Sequence, residues 1–314
     1  MRVGRLVTLL LLMSAHVPAE AAPASAPICV IDMGSNTFRR IVGSFDQGHY
    51  RQTSIEKRTL AVGDDVASHG SISEPKLAEI QKTLAGFKAS CAKEGIVRVV
   101  AIGTAAFRDA ENATTVVKMA ATLGIPMEIA TEKRESELAY LVGSLGQDGY
   151  AVIDNGSRSI ELVAKDGGPP RYRVFNLGYR VAYEEFFAVA SAPSAAALAM
   201  RDRLRFEAAR APFMKGKKKL VGVEFGEMAE VLFEPAALEG RIFTLQALQR
   251  TLRGITTGTP KEFQSLKQKK DIDRALPRLV AAVVLTEAFG YSQIELTERE
   301  LGVGLIIEAG MREP

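Results

Sequence analysis

The chain has 314 residues, of which 47% are hydrophobic and 25% charged, with a formal net charge of +3. The hydrophobic content is ample for a packed core and excludes a disordered chain. The nearly balanced charge argues against bulk nucleic-acid binding, so we expect no nucleic-acid partner and only local preferences for anions.

The start of the chain has the order of a secretory signal: Arg2 and Arg5, the apolar run 6–13, and small residues up to Ala21. The run is too short to span a bilayer. Loss of the two arginines and Glu20 on cleavage turns 40 basic and 37 acidic residues into 38 and 36. We therefore expect a periplasmic or secreted protein without stable membrane insertion, and an uncleaved membrane anchor is the alternative.

The two cysteines, Cys29 and Cys91, would lie in an oxidising compartment, where a disulfide is permitted. Two inert core thiols are the alternative. Three histidines, one of them in the leader, and two cysteines are too few for a His/Cys zinc cluster or an iron–sulfur cluster. Any metal should therefore have oxygen ligands.

An internal repeat divides the chain. Residues 30–35 read Val-Ile-Asp-Met-Gly-Ser and residues 152–157 read Val-Ile-Asp-Asn-Gly-Ser, 122 positions later. In both copies an apolar strand reaches an Asp, turns at Gly-Ser, and resumes with strand-like residues, 38–42 and 160–163. The repeat predicts two β-hairpins that open two α/β halves, and hence a duplicated sheet with a cleft between two lobes.

The remaining periodicity alternates between helices and strands. We predict strands over 97–103, 127–130 and 220–225, and helices over 74–91, 115–123, 132–145, 183–189, 194–211 and 275–289. This alternation is typical of an α/β fold. We assign residues 1–21 to the leader, 22–145 to the first lobe and 146–314 to the second.

The first hairpin turn carries the residues best suited to phosphate. Gly34 lets the backbone approach a ligand, while Ser35 and Asn36 can present N–H and side-chain donors to phosphate oxygens. Asp32 would hold a divalent cation or orient water. An ordinary tight hairpin with an Asx turn is the alternative.

A second candidate segment, residues 104–112, follows a predicted buried strand, and open α/β sheets place ligand contacts at the carboxyl ends of their strands. Arg108 in this segment could grip a phosphate with two parallel hydrogen bonds. A salt bridge from Arg108 to Asp109 or Glu111 on a solvated turn is the alternative.

Together, segments 32–38 and 104–112 resemble the exopolyphosphatase and guanosine pentaphosphate phosphatase (Ppx/GppA) family in its short two-lobe form. The Glu-rich segment 127–135 and the segment 175–178 are similar to the family as well. The resemblance runs from residue 29 to residue 304. It implies a duplicated actin-like, ribonuclease H-like ATPase fold.

The resemblance also implies a site. Glu135 falls at the family's catalytic Glu and would be the general base for a water that attacks the terminal phosphorus. Asp32 and Asp154 would hold Mg²⁺. The second hairpin turn would bind phosphate through Gly156, Ser157, Arg158 and Ser159. For Glu135, a surface residue on a charged helix is the alternative.

The second lobe departs from the family pattern at three places. Residues 156–159 read Gly-Ser-Arg-Ser where the family has Gly-Gly-Gly-Ser, so Arg158 either supplies charge in place of backbone amides or blocks the site. Residues 222–226 place Glu224 in the family's Gly-Gly-Thr segment, which disfavours an ATP-like site. Residues 302–304 read Gly-Val-Gly instead of Arg-Glu-Gly.

The resemblance implies an exported exopolyphosphatase-like hydrolase that releases terminal phosphate from polyphosphate or a related phosphoanhydride. The alternative is a catalytically inactive relative that binds a phosphorylated ligand or a protein partner. A homodimer is left open.

Overall fold

A computed structural model describes residues 26–190, 192–233 and 241–312. The predicted leader, residues 1–21, lies outside the described residues. Across the described ranges, no helix combines the length and the apolar character that a membrane span needs.

The first half of the chain forms a five-stranded sheet in the order β3-β2-β1-β4-β5. Its strands are β1 (Ile28–Met33), β2 (Thr37–Asp46), β3 (His49–Thr59), β4 (Val99–Gly103) and β5 (Met127–Ile129). Strands β1 to β3 are antiparallel neighbours, whereas β4 and β5 run parallel to β1. Its helices are α1 (Val62–His69), α2 (Glu74–Lys93), α3 (Ala105–Asp109), α4 (Ala113–Thr122) and α5 (Glu132–Ser144).

The second half forms a six-stranded sheet in the order β10-β11-β9-β6-β7-β8. Its strands are β6 (Tyr150–Asn155), β7 (Ile160–Ala164), β8 (Arg171–Phe175), β9 (Lys219–Val223), β10 (Arg241–Thr244) and β11 (Gln293–Thr297). Its helices are α6 (Tyr179–Ala182), α7 (Pro193–Ala209), α8 (Gly226–Leu232), α9 (Leu245–Thr256), α10 (Pro260–Lys267), α11 (Ile272–Ala288) and α12 (Val303–Arg312), with a π-helical turn at Tyr183–Phe187 and a 3₁₀ turn at Pro212–Met214.

The two sheets are copies of one plan. Strands β3-β2-β1-β4-β5 correspond to β8-β7-β6-β9-β11, and β10 is an added antiparallel strand at the edge of the second sheet. The strand register repeats as well, since Asp32 lies opposite Arg39 on β2 and Asp154 lies opposite Glu161 on β7. This topology confirms the predicted two-lobe α/β fold with a duplicated actin-like sheet.

Burial explains why the central strands are apolar throughout. Every residue of β1 is buried, because its two faces pack into different clusters. Cys29 and Ile31 lie in the core of the first lobe, whereas Ile28 and Val30 pack in a cluster that includes Val152 of the second lobe. A strand covered on both faces reads as a continuous apolar run rather than an alternating one.

Helix α12 crosses back to the first half of the chain. It packs against β2 and α5, and Ile306 and Ile307 belong to the buried cluster that contains Val30 and Ile41. The predicted division at residue 145 thus places in the second lobe a helix that packs against β2 and α5 of the first.

The two cysteines are joined. Cys29 on β1 and Cys91 on α2 form a disulfide, with their Cα atoms 6.4 Å apart and both side chains fully buried. The sequence left open a disulfide or two inert core thiols, and the structure contains the disulfide. It fixes α2 to the strand that carries Asp32, three residues away.

Candidate active site

A cavity of about 240 Å³ opens between the two hairpin turns. Ten of the eleven predicted site residues line it: Asp32, Gly34, Ser35, Asn36, Glu135, Asp154, Gly156, Ser157, Arg158 and Ser159. Arg108 is the exception. The structure therefore brings both halves of the repeat to one place, and the roles of the individual residues remain predictions.

The first hairpin turn is held rigidly by its neighbours. The Ser35 hydroxyl accepts a hydrogen bond from the Ala106 N–H at 3.2 Å, and the Ser35 carbonyl accepts one from Gly63 at 2.7 Å. The Asn36 carbonyl accepts from the N–H of Leu60 at 2.9 Å. These bonds set the turn against α1 and α3, and Gly34, Ser35 and Asn36 line the cavity.

The second turn is supported by the segment that follows β8. The Gly178 N–H donates to the Arg158 carbonyl at 2.9 Å, and the Tyr179 N–H donates to the Gly156 carbonyl at 3.0 Å. A β-carbon on Gly178 would lie 2.5 Å from the Arg158 backbone. Only glycine fits this contact, which gives a physical reason for the similarity to the family at residues 175–178.

Two buried aspartates flank the turns. Asp32 Oδ2 accepts a hydrogen bond from the Gly302 N–H at 3.0 Å, and a β-carbon on Gly302 would lie 2.9 Å from Asp32 Cβ. Within the described residues, Asp154 Oδ1 is buried and has no hydrogen-bond partner. Burial raises the pKa of both carboxyl groups, and for Asp154 the neighbouring Glu224 and Glu161 raise it further.

Glu135 lies in the first turn of α5 and is 7% exposed, which does not agree with a surface residue. Thr131 caps the start of this helix, since its hydroxyl accepts the Arg134 N–H at 3.2 Å. Burial raises the pKa of Glu135 to about 7, although the Arg108 guanidinium opposes this shift. Glu135 is therefore a carboxyl group that changes charge near neutral pH.

Arg108 lies behind Glu135 and not on the cavity wall. Its NH1 donates to Glu135 Oε2 and to the Ala130 carbonyl, the latter at 2.9 Å. The expected direct grip of Arg108 on phosphate stays a prediction, and in the structure Arg108 contacts Glu135. The alternative partners, Asp109 and Glu111, are not its partners in the structure, because Arg108 pairs with Glu135.

Sequence reasoning missed Glu161, a buried residue on the cavity wall. Its Oε1 accepts a hydrogen bond from the Ser159 hydroxyl at 2.5 Å. Burial and the nearby Glu135 raise its pKa to about 8. A signal was present, because the 122-residue repeat maps Arg39 of the first hairpin onto Glu161 of the second.

A group of basic side chains, also missed, lines the same cavity: Arg39, Lys57, Arg274 and Arg278. Glu300 contacts two of them, with its carboxylate oxygens 3.0 Å from Arg39 Nε and 2.7 Å from Lys57 Nζ. Burial lowers the pKa of Arg39, but the nearby carboxylates, chiefly Glu300 and Glu224, have the larger combined effect. The pKa of Arg39 is therefore raised. Arg274 and Arg278 are four residues apart on α11, and this spacing could have predicted that both side chains lie on the same face of the helix.

Two ion pairs join the lobes beside the cavity. Arg158 NH2 lies 3.3 Å from Asp109 Oδ2, and Arg180 NH1 contacts Asp64. Arg158 also lines the cavity, so it is positioned to meet a bound anion as well as Asp109. This position is compatible with both interpretations of Arg158: the guanidinium could bind a phosphate in the cavity, or it could fill the space that the phosphate needs.

The site residues fit a Mg²⁺ ion only together with a phosphate. Within the described part of the chain, no group of three or more His, Cys, Asp or Glu side chains is arranged to hold a metal ion by itself. Mg²⁺ is commonly bound by one or two carboxylates, waters and substrate phosphates. Asp154, with a buried carboxylate oxygen that lacks a partner, suits this mode, and Asp32 offers the oxygen not bonded to Gly302.

The duplicated sheets and the cleft between them define a two-lobed protein of the actin-like ATPase fold. Residues 41–295 match the model of the Ppx/GppA phosphatase family. The chain belongs to this family, which confirms the resemblance.

Curated relatives match over a shorter segment. Over 114 residues, the chain is 29% identical to Exopolyphosphatase 1 of Mycobacterium tuberculosis and of Mycobacterium bovis. This segment is 36% of the chain and 33% of each relative, so the match spans about a third of their length.

Solved structures are similar over nearly the whole fold. The crystal structure of the Aquifex aeolicus Ppx/GppA family member has a TM-score of 0.78 at 20% identity and covers 91% of this chain and 98% of its own. An exopolyphosphatase from Cytophaga hutchinsonii has a TM-score of 0.71, also at 20% identity and with the same coverage. At this identity the likeness shows the fold.

Proposed function

We propose that the protein is an exopolyphosphatase-like hydrolase that releases terminal phosphate from polyphosphate or a related phosphoanhydride. The observation that carries the proposal is Glu135: a buried carboxylate, with a pKa near 7, that faces the same cavity as Asp32, Asp154 and both Gly-Ser turns. A general base works best when its pKa lies near the working pH.

In the proposed reaction the two hairpin turns bind the terminal phosphoryl group through their amides and hydroxyls. Glu135 accepts a proton from a water molecule as its oxygen forms a bond to phosphorus. The bond from phosphorus to the bridging oxygen breaks, and the shortened chain leaves with the electron pair. A Mg²⁺ ion on Asp154 and Asp32 would neutralise phosphate charge.

Arg108 has a positioning role in this scheme. Its contacts with Glu135 and with the Ala130 carbonyl fix the carboxylate against the wall of the cavity. Its positive charge also holds the pKa of Glu135 lower than burial alone would set it. The base is therefore partly ionised at neutral pH.

The competing function is binding without turnover, to a phosphorylated ligand or a protein partner. The observation that favours it is the occupancy of the cleft by the protein's own charges. Arg158 pairs with Asp109 across the lobes, and Glu224 lies among the basic residues. If these contacts persist when ligand is present, they compete with phosphate for the charged residues of the cavity.

Phosphate release from polyphosphate separates the two functions. The full chain is assayed with and without Mg²⁺ beside the Glu135→Gln variant. We expect release that depends on Mg²⁺ and is lost in the variant. Equal release by both proteins, or none by either, contradicts the catalytic proposal.

We also propose that the protein is exported to the periplasm or secreted. The buried Cys29–Cys91 disulfide supports this, because such bonds persist in oxidising compartments, and so does the leader pattern at Arg2, Arg5 and residues 6–13. Mass spectrometry of the protein from its native host should find an N-terminus near Ala22. Recovery of an intact form beginning at Met1 from the cytoplasm contradicts export.

A further inference from the structure

Glu224 has an unusual backbone conformation at the edge of the cavity. It follows β9 directly and has a φ of 61°, in the left-handed region that glycine adopts readily and other residues rarely adopt. The predicted strand over 220–225 ends at Val223 for this reason. A non-glycine residue in this conformation costs free energy, so other interactions of Glu224 must offset that cost.

The carboxylate of Glu224 lies between two arginines from different lobes. Its Oε1 is 3.9 Å from Arg39 NH2 on β2, and its Oε2 is 3.9 Å from Arg278 NH2 on α11. A β-carbon on Gly156 would lie 3.9 Å from the same Oε2. Glu224 therefore occupies the space next to the second Gly-Ser turn.

Arg278 retains donor capacity. Arg278 is 2% exposed, and its guanidinium lies 4.0 Å from the centre of the Tyr179 ring. Its NH1 is 3.1 Å from a Glu227 oxygen, but among the described residues neither NH1 nor Nε makes a hydrogen bond of acceptable geometry. The 3.1 Å distance alone does not make a hydrogen bond, because the N–H must also point at the acceptor.

The distances from Glu224 support the same conclusion. At 3.9 Å its carboxylate balances the charges of Arg39 and Arg278 without hydrogen-bonding to either. An oxyanion with oxygens on several sides could approach both guanidinium groups and use donors that Glu224 leaves open. The arrangement is that of an anion subsite filled by an internal carboxylate.

We propose that Arg39 and Arg278 form a second phosphate subsite beside the Gly156 turn, and that Glu224 competes with the substrate for it. The ligand class is a phosphoanhydride oxyanion, the group next to the terminal phosphate in a chain. The proposal rests on the proposed function for the identity of the ligand. Glu224 would then lower affinity for such groups and select for ligands that can displace it.

Binding measurements test the competition without any need for turnover. The probe is imidodiphosphate, a non-hydrolysable analogue of pyrophosphate, titrated calorimetrically into the full chain at neutral pH. Glu224→Gly removes the carboxylate and suits the positive φ, whereas Glu224→Gln removes the charge and keeps the size. We expect both variants to bind the probe about tenfold more tightly than the natural protein, the scale of one charge-assisted hydrogen bond.

Two further variants complete the design. Gln47→Gly is the matched control, since Gln47 also has a positive φ, of 48°, but lies exposed in the turn between β2 and β3. It should bind the probe as the natural protein does. Arg278→Gln in the Glu224→Gln background should abolish the gain in affinity, because the freed donors belong to Arg278.

The outcomes divide cleanly. A gain in both Glu224 variants that disappears with Arg278→Gln supports the subsite. Unchanged or weaker binding in Glu224→Gln overturns it, even if Glu224→Gly binds more tightly, since that gain would come from the backbone. If Glu224→Gly does not fold, Glu224→Gln alone decides. A lack of phosphate release by the natural protein defeats the proposed hydrolysis but leaves this binding result standing.

Discussion

Arg158 in the second hairpin turn forms an ion pair with Asp109 at the end of α3, with NH2 and Oδ2 3.3 Å apart. The pair joins the lobes at the wall of the cavity. We expect Arg158→Gly to weaken the binding of imidodiphosphate by roughly tenfold or more, since a charged hydrogen bond contributes roughly 1.5–3 kcal/mol. Calorimetric titration measures this.

Asp109→Asn is the control for Arg158, because it frees the arginine and leaves it in place. If Arg158 is a clamp for phosphate, Asp109→Asn should bind the probe more tightly. Tighter binding by Arg158→Gly would show instead that Arg158 fills the site of the ligand, and phosphate release appearing only in that variant would have the same meaning.

Replacement of the proposed base should affect turnover more than binding. Glu135→Gln keeps the shape of the side chain but cannot accept a proton, so we expect kcat for phosphate release to fall by about 10²–10⁴. Glu132→Gln, an exposed position three residues earlier on α5, is the matched control and should keep its activity. A Glu135→Gln variant that turns over normally would remove Glu135 from the mechanism.

The pH profile should report on Arg108. Burial raises the pKa of Glu135 to about 7 and Arg108 lowers it, so a neutral residue at position 108 should raise that pKa further. A base must be ionised, and the acid limb of the rate profile of Arg108→Gln should therefore move to higher pH. Arg134→Gln, which loses a contact of 2.8 Å with Glu308, should leave the limb in place. An unshifted limb in Arg108→Gln contradicts the positioning role.

The buried carboxyl groups should make the metal-free protein less stable at higher pH. The pKa of Glu161 is raised from 4.5 to about 8 and that of Glu224 to about 7, in both cases mainly by burial. A carboxyl group whose folded pKa exceeds its unfolded value stabilises the fold while protonated, and loses this contribution as pH rises through the folded pKa. We expect Tm to fall between about pH 5 and about pH 9, and to fall less in Glu161→Gln. A flat or rising Tm contradicts this.

The disulfide should contribute to stability through the chain that it closes. Cys29 and Cys91 are 62 residues apart in sequence, and a loop of this length corresponds to roughly 4 kcal/mol in the chain-entropy description. Urea unfolding of the protein with and without a reductant measures the difference. Thiol titration of the unreduced, unfolded protein should find no free thiol, and two free thiols would contradict the pairing.

Local chemistry made much of the fold predictable. The Asp-x-Gly-Ser turns fix two hairpins by turn geometry alone, and the apolar run of β1 reflects a strand covered on both faces. Strand β3, His49–Thr59, was not predicted. It is an edge strand with mostly exposed polar residues, so its sequence lacks the apolar alternation that marks a half-buried strand.

The parts of the site that sequence reasoning missed depend on packing between the lobes. Arg39 and Arg278 come from β2 and α11 and meet only when the lobes are assembled. The contact of Arg108 with Glu135 lies within the first lobe, but 27 residues and strand β5 separate the two along the chain. Patterns within one element cannot show such pairs, although the 122-residue repeat could have identified Glu161.

The bond from the Gly302 N–H to Asp32 carries a consequence for how the protein is made. A carboxylate near the beginning of the chain is positioned by a residue 270 positions later, and β2 is covered by α12. The first lobe can therefore form its sheet early in synthesis but cannot complete its half of the cavity until residues 302–312 have emerged. If the protein is exported as we propose, a chain still in transit would remain incompletely folded, a state that suits passage through an export channel.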